Sequence, residues 1–283
     1  MRVEPTVLPS PEALGEAAAA AVVESLAAAR ARRADAFVLG CPTGRSPATT
    51  YAALARRVAA ERVDVSRLVV VLMDEYLVQT SSSAGQDDDG GLALEDPAAL
   101  HSCARYGREV VLEPLQRAAG AGRGPADDAL WLPDPAAPAV AGGPAAYDAR
   151  IADAGGVDLF LLASGASDGH VAFNPPGTPA DAETRVVELP ESTRRDNLGT
   201  FPSFGGDLAN VPRHGVSVGV ATIRDLSRSV LMLCHGTGKG TAVARLAGAE
   251  AYDRSWPATV LSDCASPRFL VDRAAAAAAA ATP

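Results

Sequence analysis

Residues 157–173 read "VDLFLLASGASDGHVAF". The first half is an apolar run broken only by Asp158 near its start, and the second is a glycine-bounded turn that holds Asp168, Gly169 and His170 together. An apolar run without polar alternation marks a strand covered on both faces, the condition of a parallel sheet. The pattern recurs in "AFVLGC" (36–41), "RLVVVLM" (67–73) and "SVLMLC" (229–234). The runs at 157 and 229 each pass into a glycine-containing loop that is expected to lead to a helix. Ala-rich residues 11–34 and residues from about 47 to 60 carry helical patterns. Strands alternating with helices predict an α/β fold, Rossmann-like and doubly wound, with a mainly parallel sheet and helices on both faces. Ligands of such sheets sit beyond the carboxyl ends of the strands. Loops 40–47, 73–77, 164–178 and 235–240 are expected to meet there.

No charged or Ser/Gly-rich linker divides the 283 residues, of which 48% are hydrophobic. That predicts one domain over 1–273, followed by an Ala-rich tail (274–283) to which no function is assigned. "QTSSSAGQDDDGG" (79–91) is expected to be a mobile loop, and "PDPAAPAVAGGPAA" (133–146) a connector. The net charge of −9 argues against a nucleic-acid groove or an anionic membrane surface as partner. Cys41, Cys103, Cys234 and Cys264 are widely spaced, so neither a disulfide framework nor a zinc site is expected. The opening "MRVEPTVLPSPEALGEAAAA" lacks the apolar run of a signal peptide, and charges interrupt every long Ala-rich stretch. A soluble, cytoplasmic protein is the expectation.

Four loops carry candidate chemistry. "GCPTGRSPATT" (40–50) places Thr43, Gly44, Arg45 and Ser46 between a strand and a helix, where amides and hydroxyls favour phosphate over a plain turn. Gly40 and Thr50 belong to the same candidate loop. "MDEY" (73–76) puts Asp74 and Glu75 at a strand end; adjacent side chains diverge, so one of them faces the cleft. Taken alone, such an acid is as readily a helix cap as a catalytic base. "SDGH" (167–170) reads either as a proton-transfer pair or as a turn-holding Asp beside a backbone-satisfied His. "HGTGKGTA" (235–242) has Leu233 where a nucleotide phosphate loop needs its first glycine, so only a simpler anion contact through Lys239 is expected. The four histidines lack ligand spacing, and a calcium role for Asp87–Asp89 is disfavoured against solvated loop charge; no metal is expected. A serine hydrolase is disfavoured because no G-x-S-x-G elbow is present.

Together these loops resemble the glucosamine-6-phosphate deaminase/isomerase family, and more distantly the 6-phosphogluconolactonases. "LGCPTGRSPATTY" (39–51) is similar to the family's LGLPTGGTPxxTY, "LMDEY" to its NMDEY and "SDGHVAFNPPGT" to its NDGHIAFNEPG. "VPRHGVSVGVATIRD" (211–225), "GTGKGTAVARLAG" (236–248) and "WPATVLSDC" (256–264) match further segments in register from about residue 2 to 273. The resemblance implies that Asp74 moves a proton between C1 and C2 of an open-chain amino sugar phosphate. It implies that His170, oriented by Asp168, opens the sugar ring, and that Thr43, Gly44, Ser46 and Lys239 hold phosphate. No cofactor is implied, the partner is a small-molecule sugar or sugar phosphate, and a homo-oligomer is expected.

Departures from the family pattern point to altered sugar-phosphate chemistry. Pro175 stands where the family has a glutamate that partners the histidine, and Gly199 where it has a phosphate-binding arginine. Arg45 replaces a phosphate-loop glycine, and either restores that charge or narrows the pocket. Leu72 and Cys264 replace a family asparagine and histidine, and "HSCARY" (101–106) replaces a Ser-Tyr lid pattern. The reaction expected is aldose-ketose isomerisation of an amino sugar or its phosphate, with or without ammonia release. Conventional glucosamine-6-phosphate deamination, a lactonase and a non-catalytic sugar-phosphate-binding protein are the alternative expectations.

Overall fold

The computed structural model of the chain describes residues 1–32, 35–80, 91–136 and 143–281. Residues 81–90 of the expected mobile loop, 137–142 of the connector, the end of the first helical stretch and the last two of the tail lie outside these.

Strands β1 (Thr6–Leu8), β2 (Phe37–Cys41), β3 (Leu68–Leu72), β4 (Asp74–Gln79), β5 (Leu92–Leu94), β6 (Leu130–Trp131), β7 (Leu159–Ala163), β8 (Arg185–Glu188), β9 (His214–Ser217), β10 (Val230–Cys234) and β11 (Pro267–Asp272) form two sheets. The larger is parallel throughout, in the order β1-β11-β10-β7-β2-β3-β6. The smaller is antiparallel, in the order β5-β4-β9-β8. Helices are α1 (Pro11–Ala31), α2 (Ala48–Glu61), α3 (Cys103–Tyr106), α4 (Glu113–Ala119), α5 (Ala145–Asp153), α6 (Glu191–Leu198), α7 (Val220–Asp225), α8 (Gly240–Gly248) and α9 (Arg273–Ala280).

Alternation along each buried strand divides the core into two layers. Phe37, Leu39, Leu159, Leu161, Leu231 and Leu233 pack with α1, α2 and α4. Val38, Phe160, Leu162, Val230 and Met232 pack with α5, α7, α8 and α9. Each such side chain, fully buried, contributes about 1.5–3 kcal/mol. Gly40 is part of this packing and not of the phosphate loop, because a Cβ there would stand 2.0 Å from the Phe160 ring. Thr50 is likewise fully buried on α2.

The smaller sheet departs from the sequence expectation. Residues 73–77 were expected as a loop, yet Met73 is a one-residue link from β3 to β4. Val218 donates to the Met73 carbonyl at 2.8 Å, and Asp74 pairs with Ser217 in β9. The distant segment "HGVS" thus gives the acidic stretch a strand partner that local patterning does not reveal. For the same reason the loop after β7 leads into β8 and not into a helix. The Ala-rich end of the chain forms α9, where Asp272 caps the helix at Ala275 and Ala278 packs on Gly240.

Candidate active site

A cavity of about 450 Å³ opens at the carboxyl ends of β2, β7 and β10. Its floor comes from the loops that follow those strands, one wall from Asp74 and Tyr76 of β4, and another from Asp196 and Asn197 of α6. Of the predicted site residues, Asp74, His170, Thr43, Gly44, Arg45, Ser46 and Lys239 all line it. Asp168 stands directly behind His170.

Asp74 and Glu75 diverge, and of the two it is Glu75 that is the helix cap. Glu75 turns away and caps α3, accepting from Ser102 Oγ at 2.8 Å, Cys103 N at 2.9 Å and Ala104 N at 2.8 Å. Asp74 is 5% exposed and faces the cavity. Burial pushes its carboxyl up to about 7, a rise the neighbouring Glu75 charge reinforces, while the Cys103 thiol, donating at 3.5 Å, and His170 pull the other way. A carboxyl titrating near neutrality is suited to taking and returning a proton.

Asp168 and His170 form a fixed pair. His170 Nδ1 donates to Asp168 Oδ1 at 2.7 Å, and the His170 amide donates to the same oxygen at 3.1 Å. Oδ2 accepts from Ser192 Oγ at 2.9 Å and Thr193 Oγ1 at 3.0 Å, both on α6. Burial alone would raise the Asp168 carboxyl; these bonds and the His170 charge outweigh it and hold the group well below the usual carboxylate range. An acceptor at Nδ1 leaves Nε2 of His170 as the ring nitrogen for a ligand. Gly169 makes the turn possible: its φ is +67°, and a Cβ there would lie 2.2 Å from the Trp256 indole.

At the anion end, Gly44 adopts φ +97° and its carbonyl accepts from Tyr106 Oη at 2.6 Å, which fixes the loop. Lys239 Nζ donates to the Ser164 carbonyl, and burial pulls its ammonium pKa down while Asp196 acts to raise it. The Arg45 guanidinium makes no hydrogen bond or ion pair with the described residues, and Arg45 borders the same cavity. Its guanidinium lies against Gly199, where a Cβ would stand 3.3 Å from a terminal nitrogen. Gly199 has an ordinary φ of −74°, so its missing side chain gives room and not backbone freedom.

The other departures do not border the cavity. Leu72 lies in the core, and its carbonyl accepts from Tyr147 Oη at 2.9 Å. Cys264 is buried in the second core layer. Pro175 holds a turn through its carbonyl, which accepts from Thr178 Oγ1 at 2.7 Å, while Asn174 ties that turn to Val218. "HSCARY" supplies Ser102 and Cys103 to the acidic pair.

Sequence reasoning missed Asp196, His235 and Cys103. Asp196 lies in the polar stretch "STRRDN", which carries no motif, and only the docking of α6 brings it to the cavity. Among the described residues, Asp168, His170 and Asp196 form the grouping that offers three metal-type ligand atoms, within 4.8 Å of one another. Both Asp168 oxygens are already engaged, so a cation there would compete with the bonds that orient His170.

A Streptomyces avermitilis protein named glucosamine-6-phosphate deaminase is 38% identical over 241 residues, which span 85% of this chain and 79% of the relative. This chain belongs to the glucosamine-6-phosphate deaminase family. A solved structure described as a monomeric glucosamine-6-phosphate deaminase matches with a TM-score of 0.75 and 26% identity, covering 98% of this chain and all of its own. The 6-phosphogluconolactonase from Trypanosoma brucei matches at 0.64 and 21% identity, with 98% of each chain covered, a likeness of fold. No protein-family model matches the chain. In this member of the family Asp74, His170, Lys239 and Arg45 line the cavity, with Asp168 behind His170. Among the described residues no helix is long and apolar enough to cross a membrane.

Proposed function

We propose that the cavity deaminates an amino sugar phosphate of the glucosamine 6-phosphate class, by ring opening followed by proton transfer between C2 and C1. The observation that carries this reading is the pairing, in one cavity, of a buried carboxyl titrating near neutrality with a histidine locked by a carboxylate. His170 Nε2 exchanges a proton with the ring oxygen, which frees the C1 aldehyde. Asp74 removes the C2 proton, giving an enediol-like intermediate, and returns a proton to C1. The C2 imine so formed takes up water and releases ammonia, leaving a ketose phosphate. Each positioned acid or base supplies about 10²–10⁴ in rate.

The phosphate binds between Arg45 and Lys239, beside Thr43, Gly44 and Ser46. The Arg45 guanidinium has no ion pair among the described residues, and Gly199 makes room for it. The likeness of fold to lactonases supports a second reading, in which His170 activates water for ester hydrolysis. Asp74 has no proton to move in that reaction. Incubation with glucosamine 6-phosphate should release ammonia and a ketose phosphate in equal amounts. Hydrolysis of 6-phosphogluconolactone with no ammonia from the amino sugar would favour the lactonase.

A further inference from the structure

Two carboxylates border the cavity, Asp74 and Asp196. Asp196 projects from α6 toward the His170 pair, with ligand-type atoms of the three residues within 4.8 Å of one another. Its partners are long: the Ala166 amide at 3.3 Å and Ser167 Oγ at 3.3 and 3.4 Å. No Lys, Arg or His among the described residues forms an ion pair with it, although Lys239 and Arg45 line the same cavity. The arrangement is a partly exposed carboxylate in a cleft, weakly held, beside the histidine that faces the reacting end of a ligand. Asp168 cannot serve as a cation acceptor, because both of its oxygens are occupied by His170, Ser192 and Thr193. Asp74 is held partly protonated by burial, which makes it a poor counter-ion.

We infer that Asp196 is the residue that selects an amino sugar, its carboxylate receiving the substrate's protonated amino group next to the carbon at which His170 and Asp74 act. This rests on the proposed function and extends it by assigning the amino-group contact to a named residue. The cavity then offers cations for phosphate at Arg45 and Lys239 and an anion for ammonium at Asp196, all lining one space. A hexose phosphate with no amino group would satisfy the cations and leave Asp196 without a partner from the ligand.

Two unreactive open-chain probes separate these contacts: 2-amino-2-deoxyglucitol 6-phosphate and glucitol 6-phosphate, titrated calorimetrically below neutrality. The wild-type protein should bind the amino compound about 10- to 100-fold more tightly, the range of a charge-assisted contact. Asp196→Asn should erase that preference and leave the affinity for glucitol 6-phosphate unchanged, and Asp196→Glu should recover part of it. A preference that survives in Asp196→Asn, or that vanishes only in Asp74→Asn, overturns the inference. Equal loss of both affinities in Asp196→Asn would also overturn it, by showing that the residue only holds α6 in place. If the wild-type protein bound neither probe, the proposed function itself would fall first.

Discussion

Arg45 and Gly199 share one space: a Cβ on Gly199 would stand 3.3 Å from the Arg45 guanidinium. The two positions lie on different elements, the loop after β2 and the C-terminal end of α6, and Arg45 lines the cavity. A long side chain on Gly199 would therefore have to displace the Arg45 guanidinium.

Exchange of the pair tests this relationship. Arg45→Gly should weaken binding of the phosphorylated sugar about 10- to 100-fold, the cost of one charge-assisted bond. Gly199→Arg alone should also lose affinity, because its side chain meets Arg45. The double variant Arg45→Gly/Gly199→Arg should recover most of the loss. Calorimetric titration of the four proteins with one sugar phosphate gives the coupling directly.

The pH dependence of activity should carry the Asp74 carboxyl. A base works in its ionised form, so kcat/KM should rise with pH through a midpoint at about 7. Cys103→Ala removes the thiol bond that favours the carboxylate, and should move that midpoint to higher pH. A midpoint left in place would show that the thiol does not act on Asp74.

The same carboxyl affects stability. An unfolded Asp loses its proton near 3.8, whereas folded Asp74 keeps it to about 7. Between those values the folded form binds the extra proton, so this group's contribution to stability falls as pH rises and levels off above about 7. Asp74→Asn should therefore raise the melting temperature above neutrality and change it little near pH 3.8. Thermal unfolding at the two pH extremes measures the difference.

Thr193 holds the back of the proton-transfer pair. Thr193→Val keeps the shape and removes one of the two hydroxyls that bond Asp168 Oδ2. With one support lost and the other kept, kcat should fall about 10-fold with KM little changed, as expected when an orienting bond and not a binding contact is removed. Thr193→Ser should restore the rate, and steady-state kinetics of the two variants are the check.

Gly169→Ala should be the most damaging change at the site. It combines a left-handed backbone at φ +67° with a Cβ 2.2 Å from the Trp256 ring. Backbone strain alone costs about 1–2 kcal/mol, and the overlap adds a packing penalty of about 1–3 kcal/mol. Denaturant unfolding should show a loss of at least that sum's lower end.

Much of this was legible in the sequence, for physical reasons. The runs at 36–41, 67–73, 157–164 and 229–234 are apolar on both faces because both faces are covered, and they became β2, β3, β7 and β10. Polar residues concentrated in the loops after them marked the cavity. The antiparallel sheet was not legible, because β4 gains its partner from residues 214–217 and its own charges read as an exit to solvent. Glu75 and Asp74 could not be assigned from adjacency alone; the N-terminus of α3 decides which one is the cap. Asp196 left no trace in the sequence, since it reaches the cavity only through packing of α6 on the Asp168 loop. The departures at Leu72 and Cys264 read as cleft changes and belong to the core.

The most direct test of the central claim is proton NMR of glucosamine 6-phosphate with the protein in D₂O, for wild type and Asp74→Asn. The account predicts release of ammonia and deuterium at C1 of the ketose phosphate with the wild-type protein, and loss of both in the variant. Exchange that continues in Asp74→Asn would contradict it and remove Asp74 from the proton transfer.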